Sequence, residues 1–568
     1  MTSSDGESGA RSPLGEALRP VIIIALAVTA LRVLYLLLLC PYDLVEDEAQ
    51  YWLWSQHIDW SYYSKGPGVA WMIGLSTWLL GNGEWAVRLP AAISGLVAMV
   101  AAAGLGAEAA IAAGAGRRGT RRAAMFALAA FALAPVFQMT ALLMTIDGPL
   151  VACWLVAAWA AWRAMGRGSR SAWVVLGAAV AAGFLFKYTM LLILPGLIGF
   201  AIVRRRDLVL TAGWRVWACA GVLFALLGLV PVAVWNAQHD WDTVRHLLGH
   251  LGAAGGDMPV ASVGQRKWSP WWSFELIGMQ IGLAGPALLL GLMAAARSRR
   301  GAMGPGASLL IWCAVPVLVF YLVVSFFAEP EGNWPIAGAT TLLVLAGVWM
   351  SGASDTASPV AHGPVPPATR WFSRRRLVWN LAMIVGICAA PVLLRADMVA
   401  NAATWALRMA RPDAAAIRTG RLIGARVMGE HAARILAELD AARAAAADGS
   451  HQPAVVIVEH YGRASQLSYY LRDDRGGGRT VYCASAAMGG RKSQFDLWPR
   501  TDLRDPALLG RDALLLSNDK PHTQVFWGSI FETVEMIPEV KLDGEHKRDR
   551  VAYIGRGYRG LSAREARP

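Results

Sequence analysis

Charge is scarce in this sequence. Only 16% of its 568 residues are Asp, Glu, Lys or Arg, whereas 55% are hydrophobic, and the apolar residues come in long blocks. The six cysteines form neither a disulfide framework nor a metal-ligand spacing, because five lie in or beside apolar blocks and Cys483 stands alone. No P-loop is present and no internal repeat stands out, so neither a nucleotide site nor a repeat-based transporter is indicated.

The apolar blocks are long enough to cross a membrane. A bilayer core of roughly 30 Å requires about 20 helical residues, and Val21 to Cys40 is a run of 20 residues interrupted only by Thr29 and Arg32. The pattern predicts a polytopic α-helical membrane protein with eleven spans, or up to thirteen if short apolar pieces also insert. The further blocks lie near residues 88–112, 123–143, 146–162, 171–186, 188–203, 216–235, 274–294, 307–327, 334–352 and 377–394.

Basic residues mark the predicted cytoplasmic side. Five short segments hold 18 Lys and Arg between them: 113–122, 163–170, 204–215, 295–302 and 353–376. Because short basic loops stay in the cytoplasm, the net charge of +13 predicts topology and contact with anionic lipid, not with nucleic acid. The N-terminus is then inside. The predicted outer segments are 41–87, 236–273 and 328–333, with turns near 144–147 and Lys187.

The first outer loop, residues 41–87, contains the acidic and aromatic stretch "VEDEAQYWLW". Farther along it, Gly68 to Leu80 is apolar but only 13 residues long, so a helix there is too short to span and is predicted to lie on the outer leaflet. The loop's aromatic residues suit that interface, and a plain aromatic belt remains an alternative explanation for them. They are Trp52, Trp54, Trp60, Tyr62, Tyr63, Trp71, Trp78 and Trp85.

The composition changes after Leu394. Residues 405–447 are rich in Ala and Arg with helical spacing, and "AVVIVEH", "TVYCASA", "DALLLSN" and "RVAYIGR" have the pattern of short strands. The sequence therefore predicts a transmembrane domain over residues 1–394 and an extracytoplasmic α/β domain over 395–568.

Six ionisable residues fall at the predicted outer ends of spans, where charge is costly and commonly functional. They are Asp47, Glu48, Lys65, Arg88, Asp147 and Lys187. Their shared depth predicts one polar site at the outer face.

Simpler roles are also open for these residues. Lys65 and Arg88 could bind lipid headgroups, and Lys187 could snorkel to the interface. Asp147 could cap a helix, and Glu46 could be a solvated neighbour of the two acids that follow it.

A sugar transfer reaction needs these residue types. Outside the cytoplasm the available activated donor is a lipid-phosphate-linked sugar. Its transfer needs a base for the acceptor hydroxyl and positive charge for the leaving phosphate. Asp47 suits the first role, because repulsion between adjacent acids raises the pKa of one of them. Lys65, Arg88 and Lys187 suit the second.

Several stretches also resemble a known family. "DEAQYWLWSQHIDWSYYSKGPGVAW" followed by "EWAVRLPAAI" is similar to the first outer loop of bacterial dolichyl-phosphate-mannose-protein mannosyltransferase-like proteins, glycosyltransferase family 39. That family has the GT-C membrane fold and includes relatives of the lipid A aminoarabinose transferase. "TIDGPLVACW", "GFLFKYTMLLILPG", "PVAVWNAQHDW", "NWPIAGA" and "GRKSQFDLWP" extend the resemblance along most of the chain.

The resemblance implies roles for individual residues. Asp47 matches the family's first-loop acid, Glu48 its neighbour, and Asp147 a second acidic position of the site. Lys65 matches a lysine that contacts the lipid phosphate, and Tyr62 a tyrosine near it. The chain has Gln50 where the aminoarabinose transferase pattern has an arginine and Ser64 where it has an acid, which favours a different sugar.

A histidine-rich segment begins with "WNAQHDW". His239, His246 and His250, with Asp240 and Asp242, could supply metal ligands, but no fixed motif accompanies them. The preferred interpretation is a polar outer loop in which His239 contacts the substrate. No cofactor is predicted, and a divalent metal is left open.

The favoured hypothesis is an inverting, polyprenyl-phosphate-sugar-dependent glycosyltransferase in the bacterial inner membrane. It would move a hexose or pentose to a lipid, glycan or protein acceptor at the outer face. A transporter or flippase of lipid-linked sugars is the alternative, and a non-catalytic scaffold presenting the C-terminal domain is a third.

Overall fold

The structure is a computed structural model. It describes residues 12–251, 253, 255–257, 269–298, 303–352, 369–414, 416–417, 419–446, 452–472, 478–517, 521–537 and 551–561. The chain divides into two compact units. The helical unit comprises Met1–Leu39, Arg88–Val234 and Lys267–Leu393, and the mixed unit comprises Cys40–Val87, Trp235–Arg266 and Leu394–Pro568.

The α-helices are labelled in chain order. They are α1 (Pro13–Leu38), α2 (Glu46–Ser55), α3 (Gly68–Leu80), α4 (Glu84–Ala112), α5 (Arg117–Ala132), α6 (Pro135–Met139), α7 (Asp147–Met165), α8 (Ser171–Phe186), α9 (Ile193–Val203), α10 (Trp214–Leu227), α11 (Val230–Gln238), α12 (Asp242–His250), α13 (Pro270–Ala284), α14 (Ala287–Ser298), α15 (Gly304–Val324), α16 (Ile336–Met350), α17 (Thr369–Leu394), α18 (Ala396–Ala410), α19 (Ala425–Ala446), α20 (Tyr461–Tyr470) and α21 (Pro521–Ile530).

Six stretches of helix in the described residues are long and apolar enough to cross a membrane. They are Pro13–Leu38, Glu84–Ala112, Asp147–Met165, Trp214–Gln238, Gly304–Val324 and Arg374–Leu394. A seventh is reached if α13 and α14, bent by 108°, are one broken span. This number is smaller than the eleven to thirteen spans expected from hydropathy.

Helix breaks account for part of the difference. The apolar block 123–143 stops at the end of α5 and resumes at Pro135, a residue favoured in the first turn of a helix. The block 188–203 opens as a 3-10 helix, Tyr188–Leu192, before α9 begins. A helix break does fall at the predicted position, because α8 ends at Phe186 and Lys187 is extended.

Tight packing of small and apolar side chains forms the core of the helical unit. Buried alanines from α4, α5 and α7 pack with the almost fully buried α16. A Cβ at Gly347 of α16 would overlap the Ala127 backbone of α5, so glycine allows these two helices to touch.

A five-stranded sheet organises the C-terminal part of the mixed unit. Its strands are β1 (Val455–Val458), β2 (Val481–Cys483), β3 (Ala513–Ser517), β4 (Phe531–Ile537) and β5 (Val551–Tyr558). The spatial order is β2-β1-β3-β5-β4, with β2, β1 and β3 parallel and β5 antiparallel to both β3 and β4. Four of these strands match the predicted ones, and β4 is additional.

The parallel strands β1, β2 and β3 are buried along their whole length, as expected for strands that are continuously apolar. Val456 and Val458 pack on one side with side chains of α19 and α20. Val455 and Ile457 pack on the other side with side chains of α21. The predicted α/β character of residues 395–568 is therefore present in the described residues.

Candidate active site

The acidic stretch Glu46 to Glu48 forms the first turn of α2 in the mixed unit. Negative side chains are stabilised there, because the unpaired backbone N–H groups of a helix N-terminus carry partial positive charge. The three acids have different surroundings, and the difference separates structural from reactive candidates.

Glu48 is completely buried, and its Oε2 accepts a hydrogen bond from the Val45 backbone N–H at 3.1 Å. It therefore holds the start of α2 in place. This contact is structural, and the catalytic role of Glu48 stays a prediction.

Glu46 forms an ion pair with Arg463 of α20, with 3.1 Å between Glu46 Oε1 and Arg463 Nε. The Arg463 side chain is only 4% exposed. The Glu46 side chain is 37% exposed, so it keeps contact with solvent as expected, and it also links α2 to α20. A Cβ at Gly462 would overlap the Glu46 side chain, so glycine permits the close approach.

Asp47 is the exposed acid of the three. The backbone just before α2 is anchored by two side chains of α20. Gln466 donates to the Leu44 carbonyl at 2.8 Å, and Tyr470 accepts from the Leu44 N–H at 2.9 Å. An exposed carboxylate on an anchored helix start can meet a substrate and take up a proton.

Tyr62 is fully buried and stacks on Trp54, with ring centroids 4.5 Å apart. Its hydroxyl lies 2.9 Å from the Trp54 carbonyl oxygen and 3.0 Å from that of His57. In this arrangement the hydroxyl of Tyr62 faces the interior and fixes the loop, and the role implied for Tyr62 near a lipid phosphate stays a prediction.

Lys65 is half-buried in the same loop. Its backbone carbonyl accepts hydrogen bonds from the Tyr62 N–H and from Ser61, both at 3.2 Å. After burial and nearer groups, its positive charge also helps to lower the pKa of His246 and His250.

A polar chain runs from Tyr63 through the second outer segment to Arg491. The Tyr63 hydroxyl donates to Asp257 at 2.5 Å, and the same Asp257 oxygen lies 2.8 Å from His246 Nδ1. His246 Nε2 lies 3.1 Å from His250 Nε2, and Arg491 Nη1 lies 3.2 Å from that His250 nitrogen. A Cβ at Gly249 would overlap Asp257 Oδ1, so the chain depends on glycine there.

The two contacts at His250 compete. An imidazole nitrogen holds either one proton or one lone pair, so Nε2 makes a full hydrogen bond with only one of His246 and Arg491 at a time. Protonation of either histidine would rearrange the chain.

Neutral histidines are favoured in this chain. Burial, with the positive charges of His246, Arg491 and Lys65, lowers the pKa of His250 to about 3. Burial also lowers the pKa of His246, and this outweighs the opposing hydrogen bond to Asp257. Burial opposes ionisation of Asp257, but the hydrogen bonds from His246 and Tyr63 outweigh it and lower its pKa.

His239 is half-buried and stacks on Trp235, with centroids 4.0 Å apart. Its Nδ1 lies 2.9 Å from the Trp235 carbonyl oxygen, and Trp235 Nε1 donates to Asp59 at 3.0 Å. Among the described residues, no group of three or more His, Cys, Asp or Glu side chains is arranged to hold a metal ion.

The helical unit contains a separate polar cluster around Asp147, the first residue of α7. Lys187 donates to Asp147 Oδ1 at 2.8 Å, and Asn333 donates to Oδ2 at 2.7 Å. The N-cap position of α7 is Ile146 and not Asp147. The Asp147 carboxylate accepts from side chains outside its helix, so the capping explanation is wrong. Lys187 does not snorkel either, because its side chain is only 11% exposed and is paired.

Arg88 lies on α4 in the helical unit and is only 1% exposed. A headgroup contact would require an accessible guanidinium, so that explanation is excluded. Of the predicted residues, Arg88, Asp147 and Lys187 thus lie in the helical unit, whereas Asp47, Glu48, Tyr62, Lys65 and His239 lie in the mixed unit.

Asn333, Tyr63, Asp257 and Arg491 were not identified individually from the sequence. Asn333 and Arg491 stand inside "NWPIAGA" and "GRKSQFDLWP", whose first polar residues were the available signal. Tyr63 lies inside the first family-like stretch, whereas Asp257 lies in none of them. Their contact could not be predicted, because they are 194 residues apart in the chain.

Solved structures share this fold. The crystal structure of ArnT from Cupriavidus metallidurans bound to undecaprenyl phosphate aligns with a TM-score of 0.60 and 17% identity. The alignment covers 96% of this chain and 99% of that one. The chain has a GT-C fold. The predicted fold class is thereby confirmed, and the protein is a multi-pass membrane protein.

Part of the chain also matches a known sequence family. Residues 64–235 match the sequence model of the Dolichyl-phosphate-mannose-protein mannosyltransferase family. This segment includes Lys65, Arg88, Asp147 and Lys187. The resemblance inferred from the sequence motifs is confirmed.

Curated relatives match over part of their length. Lipid A galacturonosyltransferase RgtD of Rhizobium johnstonii is 30% identical over 54% of this chain and 60% of its own length. An undecaprenyl phosphate-alpha-4-amino-4-deoxy-L-arabinose arabinosyl transferase of Edwardsiella ictaluri is 26% identical over 47% of each chain. The chain thus spans about half to three fifths of the length of these two relatives.

Proposed function

We propose that this protein is an inverting glycosyltransferase that moves a sugar from a polyprenyl-phosphate donor to an acceptor in the cell envelope. One observation carries the proposal: the mixed unit contains both an exposed carboxylate at the start of α2, Asp47, and a half-buried ammonium group, Lys65. The GT-C fold and the names of the similar proteins support the reaction class.

In the proposed reaction Asp47 removes the proton from the acceptor hydroxyl. The acceptor oxygen then attacks the anomeric carbon, and the bond from that carbon to the phosphate oxygen breaks with inversion. The leaving polyprenyl phosphate gains negative charge, which Lys65 stabilises. Glu46 and Glu48 support this geometry through Arg463 and the Val45 N–H, respectively.

Asp147 has a different proposed role. Both of its carboxylate oxygens accept hydrogen bonds, one of them from the Lys187 ammonium group. A proton on Asp147 would remove the negative charge that balances Lys187. We assign Asp147 to positioning Lys187, and Arg88 to a further buried positive charge of the helical unit.

The donor sugar is proposed to be other than aminoarabinose, since Gln50 and Ser64 replace the arginine and the acid of that pattern. A uronic acid is the first candidate, and lipid A the first acceptor, because the relative RgtD is named a lipid A galacturonosyltransferase. A sugar carboxylate would also suit the cationic surroundings of Lys65 and Arg491.

The proposed location is the bacterial inner membrane, with residues 395–568 outside the cytoplasm. A membrane-impermeant maleimide should label the exposed position of Ala507→Cys in intact spheroplasts. It should label Thr211→Cys, in a predicted cytoplasmic loop, only after lysis. The reverse pattern would invert the topology.

The reaction is tested with purified protein, lipid A and radiolabelled polyprenyl-phosphate sugars, one carrying galacturonic acid and one aminoarabinose. Labelled lipid A is expected from the galacturonosyl donor, and turnover is expected to persist in EDTA. A flippase would instead move the donor across proteoliposome membranes and form no glycosylated product. Envelope glycans analysed by mass spectrometry with and without the gene would reveal an acceptor other than lipid A.

A further inference from the structure

A cleft of about 470 Å³ opens in the helical unit between α5 and α17. Its basic wall consists of Arg118, Arg121 and Arg122, which lie in the first two turns of α5. Its apolar wall consists of Met125, Phe126, Ala129, Trp379 and Met383. Cavities of this size commonly hold small ligands.

The lining of the cleft changes from basic to apolar along its length. The α5 residues that line it follow at helical spacing, from 118 through 121, 122, 125 and 126 to 129, so one helix face changes from basic to apolar. Phe126 packs edge-on against the buried Trp379, with centroids 4.9 Å apart. Farther along, a Cβ at Gly386 would overlap the Leu133 carbonyl, so the helices touch and close that end.

The end of the cleft lined by arginines is the open one, and the described residues do not neutralise its positive charge. Arg117 pairs with Glu16 at 2.7 Å. In the described part of the helical unit, by contrast, Arg118, Arg121 and Arg122 have no acidic partner, and no acid lines the cleft. The start of α5 adds the partial positive charge of its free N–H groups. This end of the cleft therefore suits an anion.

A free anion would leave the apolar wall unused, and an apolar molecule would leave three arginines uncompensated. We propose that the cleft binds an anionic diacyl phospholipid. Its phosphate would lie on Arg118, Arg121 and Arg122, and its acyl chains along Phe126, Trp379 and Met383. The segment 113–122 is a predicted cytoplasmic loop, so the lipid would come from the inner leaflet, whereas the proposed transfer takes place outside.

The site can be tested by binding alone. The full-length protein in detergent micelles is titrated with phosphatidylglycerol or phosphatidylcholine, and retained lipid is counted by native mass spectrometry. Retention of one phosphatidylglycerol in preference to phosphatidylcholine is expected. Arg121→Gln/Arg122→Gln should weaken it about 25-fold, because each basic side chain near an anionic lipid contributes about fivefold.

Matched variants separate a defined site from general surface charge. Arg205→Gln/Arg206→Gln removes the same charge from two exposed arginines of another predicted cytoplasmic loop and should leave binding unchanged. Ala129→Trp fills the cleft but keeps every arginine, and it should abolish retention. Met383→Trp serves the same purpose if Ala129→Trp does not fold.

Three results would overturn the proposal. They are equal retention of phosphatidylcholine, equal loss in the Arg205/Arg206 variant, and unchanged binding in a folded, cleft-filled variant. Undecaprenyl phosphate is the competing occupant. If it binds in the cleft and phosphatidylglycerol does not displace it, the cleft is a polyprenyl-phosphate site and the phospholipid assignment is wrong.

Discussion

Asp47 and Asp147, the two aspartates predicted from the sequence to take part in catalysis, have contrasting surroundings. Asp47 is exposed in the first turn of α2, on a helix anchored by Gln466 and Tyr470. Asp147 is 3% exposed, with one carboxylate oxygen on Lys187 and the other on Asn333.

This contrast distinguishes a group that can accept a proton from one that holds charges in place. An accessible carboxylate can exchange its proton with a substrate hydroxyl. A carboxylate with two fixed donors mainly keeps a buried ammonium ion charged and oriented, because removing either partner leaves the other uncompensated. Both residues are acids at helix starts, so the surrounding residues decide the role.

The largest change in stability is expected at the buried pair. Asp147→Ala leaves Lys187 in the apolar interior without its carboxylate, which should destabilise the protein by about 3–5 kcal/mol. Unfolding is followed by tryptophan fluorescence in detergent micelles. The double variant Asp147→Ala/Lys187→Met removes both charges and should recover most of the loss. If the single variant melts like the wild type, the pair does not hold the helices in place.

Lys65 tests whether the mixed unit contacts the donor phosphate. Lys65→Met keeps the apolar stem and removes a charge-assisted contact worth about 1.5–3 kcal/mol, so kcat/KM for the donor should fall about 10- to 150-fold. Lys492→Met makes the same chemical change elsewhere in the mixed unit and should have little effect. Equal kinetics for the two variants would reduce Lys65 to a lipid headgroup contact.

The smallest effect is a pH dependence of stability. The unfolded chain protonates His250 near pH 6.5, whereas burial lowers the folded pKa to about 3. The unfolded state therefore binds more protons between these values, and stability falls as the pH falls through that window. With partial solvent screening of His250, the loss from pH 7 to pH 5 should be roughly 1 kcal/mol.

His250→Gln removes the titrating group but keeps a side chain that can hydrogen-bond to His246 and Arg491. The melting temperature of this variant should change less between pH 7 and pH 5 than that of the wild type. An identical pH dependence would show that His250 is not protonated on unfolding and would argue against its buried, neutral state.

Local patterns predicted elements of the fold well. The apolar piece 68–80 forms a helix with those bounds, and the four apolar strand segments became β1, β2, β3 and β5. Strand β4 was missed because most of its side chains are exposed to solvent. Only Phe531 is buried, and Glu532 and Glu535 are exposed. A strand at a sheet edge, held by backbone pairing to β5, leaves little hydrophobic pattern in the sequence.

The sequence predicted which residue types belong to the site, but it did not predict which residues contact each other. Acids and lysines at the ends of apolar blocks are visible locally, which identified Asp47, Lys65, Asp147 and Lys187. Their partners are distant in the chain: Asn333 lies 186 residues after Asp147, and Arg463 meets Glu46 across most of the sequence. Hydropathy and spacing contain no information on such pairs, so the contacts of Glu46, Glu48 and Tyr62 could not be predicted.

The most direct test of the account is the turnover of Asp47→Asn, measured as sugar transfer from the polyprenyl-phosphate donor at saturating substrate. This change keeps size and most hydrogen bonding but removes the proton acceptor, so kcat should fall by about 10²–10⁴-fold at an unchanged melting temperature. Glu46→Gln, one residue away, should lower kcat far less. Wild-type turnover by Asp47→Asn would contradict the account, because the exposed acid would then not be the base.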